Sequence, residues 1–197
     1  MENEKLKELI LQSLEHERGG VKIYEAALKC VQNEDLKEEM ERYREETERH
    51  VQILHDVCAQ LQIDPEEQSP GRKIVHDMGM GYVCAIEAAK AAGDPAAAEI
   101  VACECVSLAE QTDHSNWELI GECAKKLDGP EGKALNEAYG EVEDQEDEHY
   151  YHSKGWLREL SLQSLGLKAV LPPPEERKHV KTAIGAARAE QARSKMR

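Results

Sequence analysis

Phenylalanine is absent from this 197-residue chain, and aromatic residues together make up only 4% of it. The remaining composition, rich in Ala, Leu, Glu and Lys, favours long helices over strands. Positive charge is also scarce: 25 Lys and Arg face 40 Asp and Glu, for a net charge of −15. Such a surface repels nucleic acid and anionic membranes and attracts divalent cations. No apolar run approaches the ~20 residues that a membrane span requires. The N-terminal MENEKLKELI lacks the basic and apolar regions of a signal peptide, so a cytoplasmic location is expected. The six cysteines (Cys30, Cys58, Cys84, Cys103, Cys105, Cys123) form no CxxC pair, which argues against a zinc site, a disulfide framework or an attached four-thiolate iron centre. All six fall in predicted helices, where free Cys acts as a small apolar residue.

What is present is helical periodicity broken at a few clear points. A first helix spans about residues 3–31, with Leu6, Leu9/Ile10, Ser13, Glu17, Gly20/Val21, Tyr24 and Leu28 on one stripe. Asn33-Glu34-Asp35 turns the chain. The second helix, to about 61, carries a heptad of Leu36, Met40, Tyr43, Thr47, His50, Leu54, Val57 and Leu61. A polar loop with Asp64-Pro65, Ser69-Pro70 and Gly71 leads to a short Gly/Ala-rich helix, about 72–92. Gly93-Asp94-Pro95 ends it, and a fourth helix covers about 95–127. Asp128-Gly129-Pro130 then opens a fifth, about 130–162.

The expected fold is all-α: two antiparallel hairpins joined by a long crossover that carries a short extra helix, which is ferritin-like four-helix topology. Residues 1–165 form the bundle. Residues 166–197 form a Pro-rich linker (Pro172, Pro173, Pro174) and a weakly basic tail. Gly79, Gly81, Ala85, Ala88, Ala89 and Ala92 on the third helix permit close helix contact, so a homodimer is possible.

Polar residues interrupt the core stripes at one level. A helix rises ~1.5 Å per residue, so distance from a hairpin turn sets height. Counted from the first turn, Glu17 lies about 15 residues before, and Glu46 and His50 about 14 and 18 after. Counted from the second, Glu110 and His114 lie about 19 and 15 before, and Glu146 and His149 about 17 and 20 after. All seven fall within a layer about two helical turns thick. Tyr24 with Tyr43, and Trp117 with Tyr139, are expected to close the turn-proximal side of this layer, with Leu, Val and Trp156 on the other.

Buried carboxylates are costly unless paired or bound to metal. Several Glu and two His without thiolate suit iron or manganese better than structural zinc. Two carboxylate–histidine pairs from two hairpins, with one further Glu from each, make the ligand set of a dinuclear site inside a bundle. Taken singly, each residue also has a plain reading, Glu17 as a stripe-edge glutamate and His114 as a hydrogen-bonded core histidine.

Over about residues 3–162 the chain resembles the ferritin-like superfamily, the bacterioferritin- and rubrerythrin-like di-iron carboxylate proteins. The family pattern is a Glu, an E-x-x-H, a Glu and a second E-x-x-H on successive bundle helices. Glu17, Glu110 and Glu146/His149 match the first, third and fourth elements. The second departs: three residues before His50 stands Thr47, and the nearest carboxylate is Glu46 at i−4, which still shares a face with His50. His114 is extra to the pattern.

The resemblance implies two bound Fe ions, or Fe with Mn, and an oxidoreductase acting on peroxide or O2. Tyr24, Tyr43 or Tyr139 would relay an electron or proton. No built-in electron donor is visible, so a separate one is implied. Two alternatives are ferroxidase activity with iron handling, and a metal-free helical interaction module whose polar layer fixes helix register.

Overall fold

The computed structural model describes residues 3–168. Among these the regular secondary structure is all α-helix, with no strand. Five helices follow in order: α1 (Asn3–Ala27), α2 (Glu34–Gln60), α3 (Pro70–Ala91), α4 (Pro95–Ala124) and α5 (Gly129–Ser164). The tail from 169 onward lies outside the described residues. No helix among the described residues is long and apolar enough to cross a membrane.

Local chemistry sets most helix starts. The Asn33 side chain accepts from the backbone N–H groups of Asp35 and Leu36, at 3.0 and 3.2 Å. Ser69 Oγ accepts from Arg72 N–H at 3.0 Å, and Asp94 accepts from Ala96 and Ala97, both at 3.1 Å. Each cap satisfies donors that the first helical turn leaves unpaired. Pro70 and Pro95 occupy first-turn positions, where a missing N–H costs nothing. Between α3 and α4, Gly93 adopts φ +84°, a left-handed conformation that side chains disfavour.

Several boundaries differ from those read in the sequence, among them the end of α4, at Ala124 rather than about 127. Helix α1 stops at Ala27, because Leu28–Cys30 winds into tighter turns and the buried Glu99 of α4 draws in the Gln32 and Asn33 N–H groups at 2.7 and 2.8 Å. Helix α3 begins at Pro70 and includes Gly71, and at 22 residues it is nearly as long as the 25-residue α1 rather than short.

Helices α1, α2, α5 and α4 form a ring in which each packs on the next, and α3 lies against α1 and α4. Neighbours in the ring run antiparallel. On α1 and α2, Tyr24 meets Tyr43 while Glu17 meets His50. On α4 and α5, His114 meets Asp147 and Gly121 meets Tyr139. Helix α3 spans about 33 Å and runs parallel to α1, with Gly71 beside Glu8 and Gln12 and Gly79 beside Gly19. The Gly79 backbone thus serves a close approach within the chain, while Gly81 faces open space.

This crossover corrects one expectation. Because α3 carries the chain the full length of the bundle, the two hairpin turns lie at opposite ends, and the expected aromatic layers are rearranged. Tyr24 and Tyr43 share their apolar cluster with Trp156, Leu36, Met40 and Val106. Trp117 belongs to the opposite cluster, with Leu54, Val57, Ile120 and Leu135. The polar layer lies between the two.

Candidate metal centre

Six charged or ionisable side chains from four helices converge between the apolar clusters. Glu17 comes from α1, His50 from α2, Glu110 and Asp113 from α4, and Glu146 and His149 from α5. None is more than 4% exposed. Glu17, His50 and Glu146 each present a ligand atom within 4.8 Å of the others, and so do Glu110, Glu146 and His149. Glu146 belongs to both triads. Its Oε1 stands 3.1 Å from His50 Nδ1 and 3.5 Å from His149 Nδ1. Glu17 Oε1 lies 3.4 Å from His50 Nδ1, and Glu110 Oε2 lies 3.5 Å from His149 Nδ1.

The outward sides of these residues are held in place. Gln145 Oε1 accepts from His50 Nε2 at 2.8 Å, and Glu46 Oε2 accepts from His149 Nε2 at 2.8 Å. A proton on each Nε2 leaves both Nδ1 atoms facing the interior, the arrangement that orients an imidazole toward a metal. Trp117 Nε1 donates to Glu17 Oε1 at 2.7 Å, and the Tyr24 hydroxyl donates to Glu110 Oε1 at 2.7 Å.

The inward atoms have no such partners. Glu17 Oε2, His50 Nδ1, Glu110 Oε2, Asp113 Oδ1, both Glu146 oxygens and His149 Nδ1 make no hydrogen bond. Buried polar atoms are almost always paired, and here the inward atoms meet only one another, as ion pairs of 3.1–3.5 Å among the cluster's own members, so a cation would complete their coordination. The donor set of carboxylate oxygens and two imidazole nitrogens, without sulfur, fits a hard or borderline divalent cation. Glu146 belongs to both of the groups that could hold a cation.

The electrostatics of the metal-free cluster agree. Burial pushes Glu146 up, but the facing His149 and His50 outweigh it and bring its pKa to about 2. Burial pushes His50 down, but Glu17 and Glu146 raise it to about 10. His149 is raised well above its ordinary value in the same way, by Glu110, Glu146 and Glu46 against burial. Asp113 is pushed well up by burial and by the neighbouring Glu17, Glu146 and Glu110 carboxylates. Without a cation, protons therefore supply the positive charge that these carboxylates need.

Of the seven metal ligands read in the sequence, the structure brings together Glu17, His50, Glu110, Glu146 and His149 and leaves two outside. Glu46, expected to replace the carboxylate missing at Thr47, lies outside both triads. It sits behind His149, where it also pairs with Arg42 at 3.3 Å. Thr47 faces inward but donates its hydroxyl to the Tyr43 carbonyl at 2.8 Å, and its methyl packs where a Cβ on Gly20 would come within 3.2 Å. Close α1–α2 packing thus fills that position. His114 points away from the cluster, bonded through Nε2 to Asp147 at 2.9 Å and set 5.1 Å from the Tyr150 ring. Its neighbour Asp113 turns inward instead. Asp113 was not among the expected ligands, although its place three residues after Glu110 repeats the spacing of Glu146 and His149.

The three tyrosines separate as well. Tyr24 touches Glu110 directly. The Tyr43 ring lies 4.3 Å from the His149 ring, and its hydroxyl is 2.9 Å from His152 Nδ1. Tyr139 is only half-buried and lines an outer pocket rather than the expected inner layer. The cysteines are free, and Cys84 is exposed rather than part of the core. Comparison with protein-family models, with curated proteins and with solved structures finds no match for this chain.

Proposed function

We propose that the chain is a ferritin-like, non-haem dinuclear metal protein, with Fe/Fe or Fe/Mn held by Glu17, His50, Glu110, Glu146 and His149, and that it acts as an oxidoreductase on peroxide or O2. The observation that carries this reading is the pair of buried carboxylate–imidazole triads, Glu17/His50/Glu146 and Glu110/Glu146/His149, that share Glu146. The ring of antiparallel helices, closed by one long crossover helix, supports the ferritin-like assignment. Asp113 adds a fourth inward carboxylate where the α2 position carries Thr47.

A bound pair of redox-active cations would supply one electron each for the two-electron reduction of peroxide or O2. The chain's own contributions are positional. Glu146 would be shared between the two cations, and the Glu46 and Gln145 contacts would hold both imidazoles at one angle. Tyr24 holds its phenolic proton against Glu110 Oε1, and burial with the Glu110 charge keeps that proton in place by raising the phenol well above its ordinary pKa. The apolar clusters on both sides exclude bulk water from the layer. Electrons would come from a separate donor.

The test is anaerobic loading with Fe(II), followed by measured peroxide or O2 consumption with a chemical reductant. Repeated turnover that disappears in Glu146→Ala/His149→Ala supports the proposal. A single round of iron oxidation with iron retained would favour ferroxidase activity instead. Equal rates in wild type and variant would overturn both.

A further inference from the structure

The cluster is closed to solvent, so cations need a way in. One pocket of about 50 Å³ opens between α4 and α5, lined by His114, Glu118, Tyr139, Glu143 and Asp147, with Trp117 and Glu146 at its base. We infer that this pocket is the inlet through which divalent cations reach the buried carboxylates. The inference rests on the reading of those carboxylates as a metal centre.

Glu146 ties the pocket to the centre. It is 1% exposed, neither of its carboxylate oxygens has a hydrogen-bond partner, and it lines the pocket from inside while belonging to both ligand triads. A cation that reaches the base of the pocket therefore meets the shared ligand first. The volume exceeds what one water needs, so a cation that keeps part of its hydration shell has room.

The walls suit a cation in transit. Glu118, Glu143 and Asp147 supply three carboxylates, and no Lys or Arg is among the lining residues. A cleft lined by one sign of charge concentrates the opposite ion and speeds its arrival. The hold along the way is weak. His114 Nε2 is occupied by Asp147 at 2.9 Å, and its Nδ1 stands 3.9 Å from Glu118 Oε2. Among the described residues, only the two inner triads bring three ligand atoms within 4.8 Å. His114 is thus explained as a wall of the inlet rather than an inner ligand.

The other flanks are less suitable. Between α2 and α5, Arg42 pairs with Glu46 and Glu148, and Arg49 pairs with Glu141, so ion pairs bridge that seam and its carboxylates are already taken up by fixed cations. Between α1 and α2, Gly20 and Thr47 close the gap. The pocket between α1 and α3, beside Ile23, Val75, Met78 and Tyr82, is mostly apolar and includes none of the six cluster residues.

The experiment is stopped-flow uptake of Co²⁺ by metal-free protein at low ionic strength, read by visible absorbance, with the equilibrium stoichiometry measured in parallel. Glu118→Gln/Glu143→Gln should slow uptake about fivefold or more, and Glu143→Lys about tenfold, with the final stoichiometry unchanged. Glu87→Lys, an exposed site on α3, should leave the rate within about twofold. Inlet-variant rates within about twofold of wild type, at full stoichiometry, would overturn the inlet while leaving the metal centre intact. Failure of the wild type to bind Co²⁺ at equilibrium would overturn the centre and the inlet together.

Discussion

Asp113 offers a perturbation whose sign depends on whether the cluster holds a cation. Its carboxyl is 4% exposed, Oδ1 has no hydrogen-bond partner, and Glu17, Glu146 and Glu110 all raise its pKa on top of burial. An acid whose folded pKa is raised stabilises the fold below its unfolded pKa, near 3.9, and loses that contribution as pH rises through the folded value. Asp113 therefore destabilises the metal-free protein at neutral pH. Asp113→Asn keeps the shape and removes the ionisable group, so it should stabilise the chelator-treated protein. Each pKa unit by which folding raises such a carboxyl costs about 1.4 kcal/mol at a pH where the unfolded group is ionised. At about 2–4 °C per kcal/mol for a chain of this size, each unit relieved corresponds to a Tm rise of about 3–6 °C. The gain should grow from pH 5 to pH 8, since only the wild type carries the pH-dependent cost. In metal-loaded protein the same substitution removes a carboxylate next to the cations, and the variant should be the less stable of the two. Differential scanning calorimetry of both proteins, with chelator and with metal, reads all four states. A metal-free Asp113→Asn that melts below wild type across this pH range would refute the reasoning.

Trp117→Phe leaves Glu17 Oε1 without its 2.7 Å donor and should lower stability by about 1–3 kcal/mol, measured by urea titration. Gly132→Ala should destabilise by a similar amount, since a Cβ there would lie 2.0 Å from the Leu127 carbonyl oxygen and the backbone itself must move. Native-state alkylation followed by peptide mass spectrometry should label the exposed Cys84 first. Cys58 and Cys103 should resist until unfolding, because both are buried and burial raises their thiols, that of Cys58 to about 11.

Much of this arrangement was legible because α2 and α5 each pack one stripe inward. The α2 heptad from Leu36 through Val57 is buried as its period predicts, and His50 lies on it. Helix α1 was harder to read. Leu11, Leu14 and Ile23 are buried in addition to the expected stripe, Leu14 in the cluster with Trp117 and Ile120 of α4 and Ile23 in the cluster with Ile86 of α3, and a single-face reading misses them. The same limit explains Glu46. At i−4 from His50 it shares that face closely enough to suggest a ligand, yet the rotation of α2 sets Thr47 inward and Glu46 behind His149. On α4, the height count singled out His114 and passed over its neighbour Asp113, and the packing of α5 reverses that choice. Asp147 holds His114 outward, while Asp113 turns to the centre. The opposite placement of the two hairpin turns followed from α3 running along the bundle parallel to α1, which a count of heights from each turn separately does not register.

Metal content per chain is the most direct test of the central claim. It would be measured by inductively coupled plasma mass spectrometry on protein made in iron- and manganese-supplemented cells, beside Glu146→Ala/His149→Ala. The account predicts about two Fe or Mn per chain in wild type, lost in the variant. Far less than one equivalent in wild type, with a Tm unchanged by chelator, would contradict it.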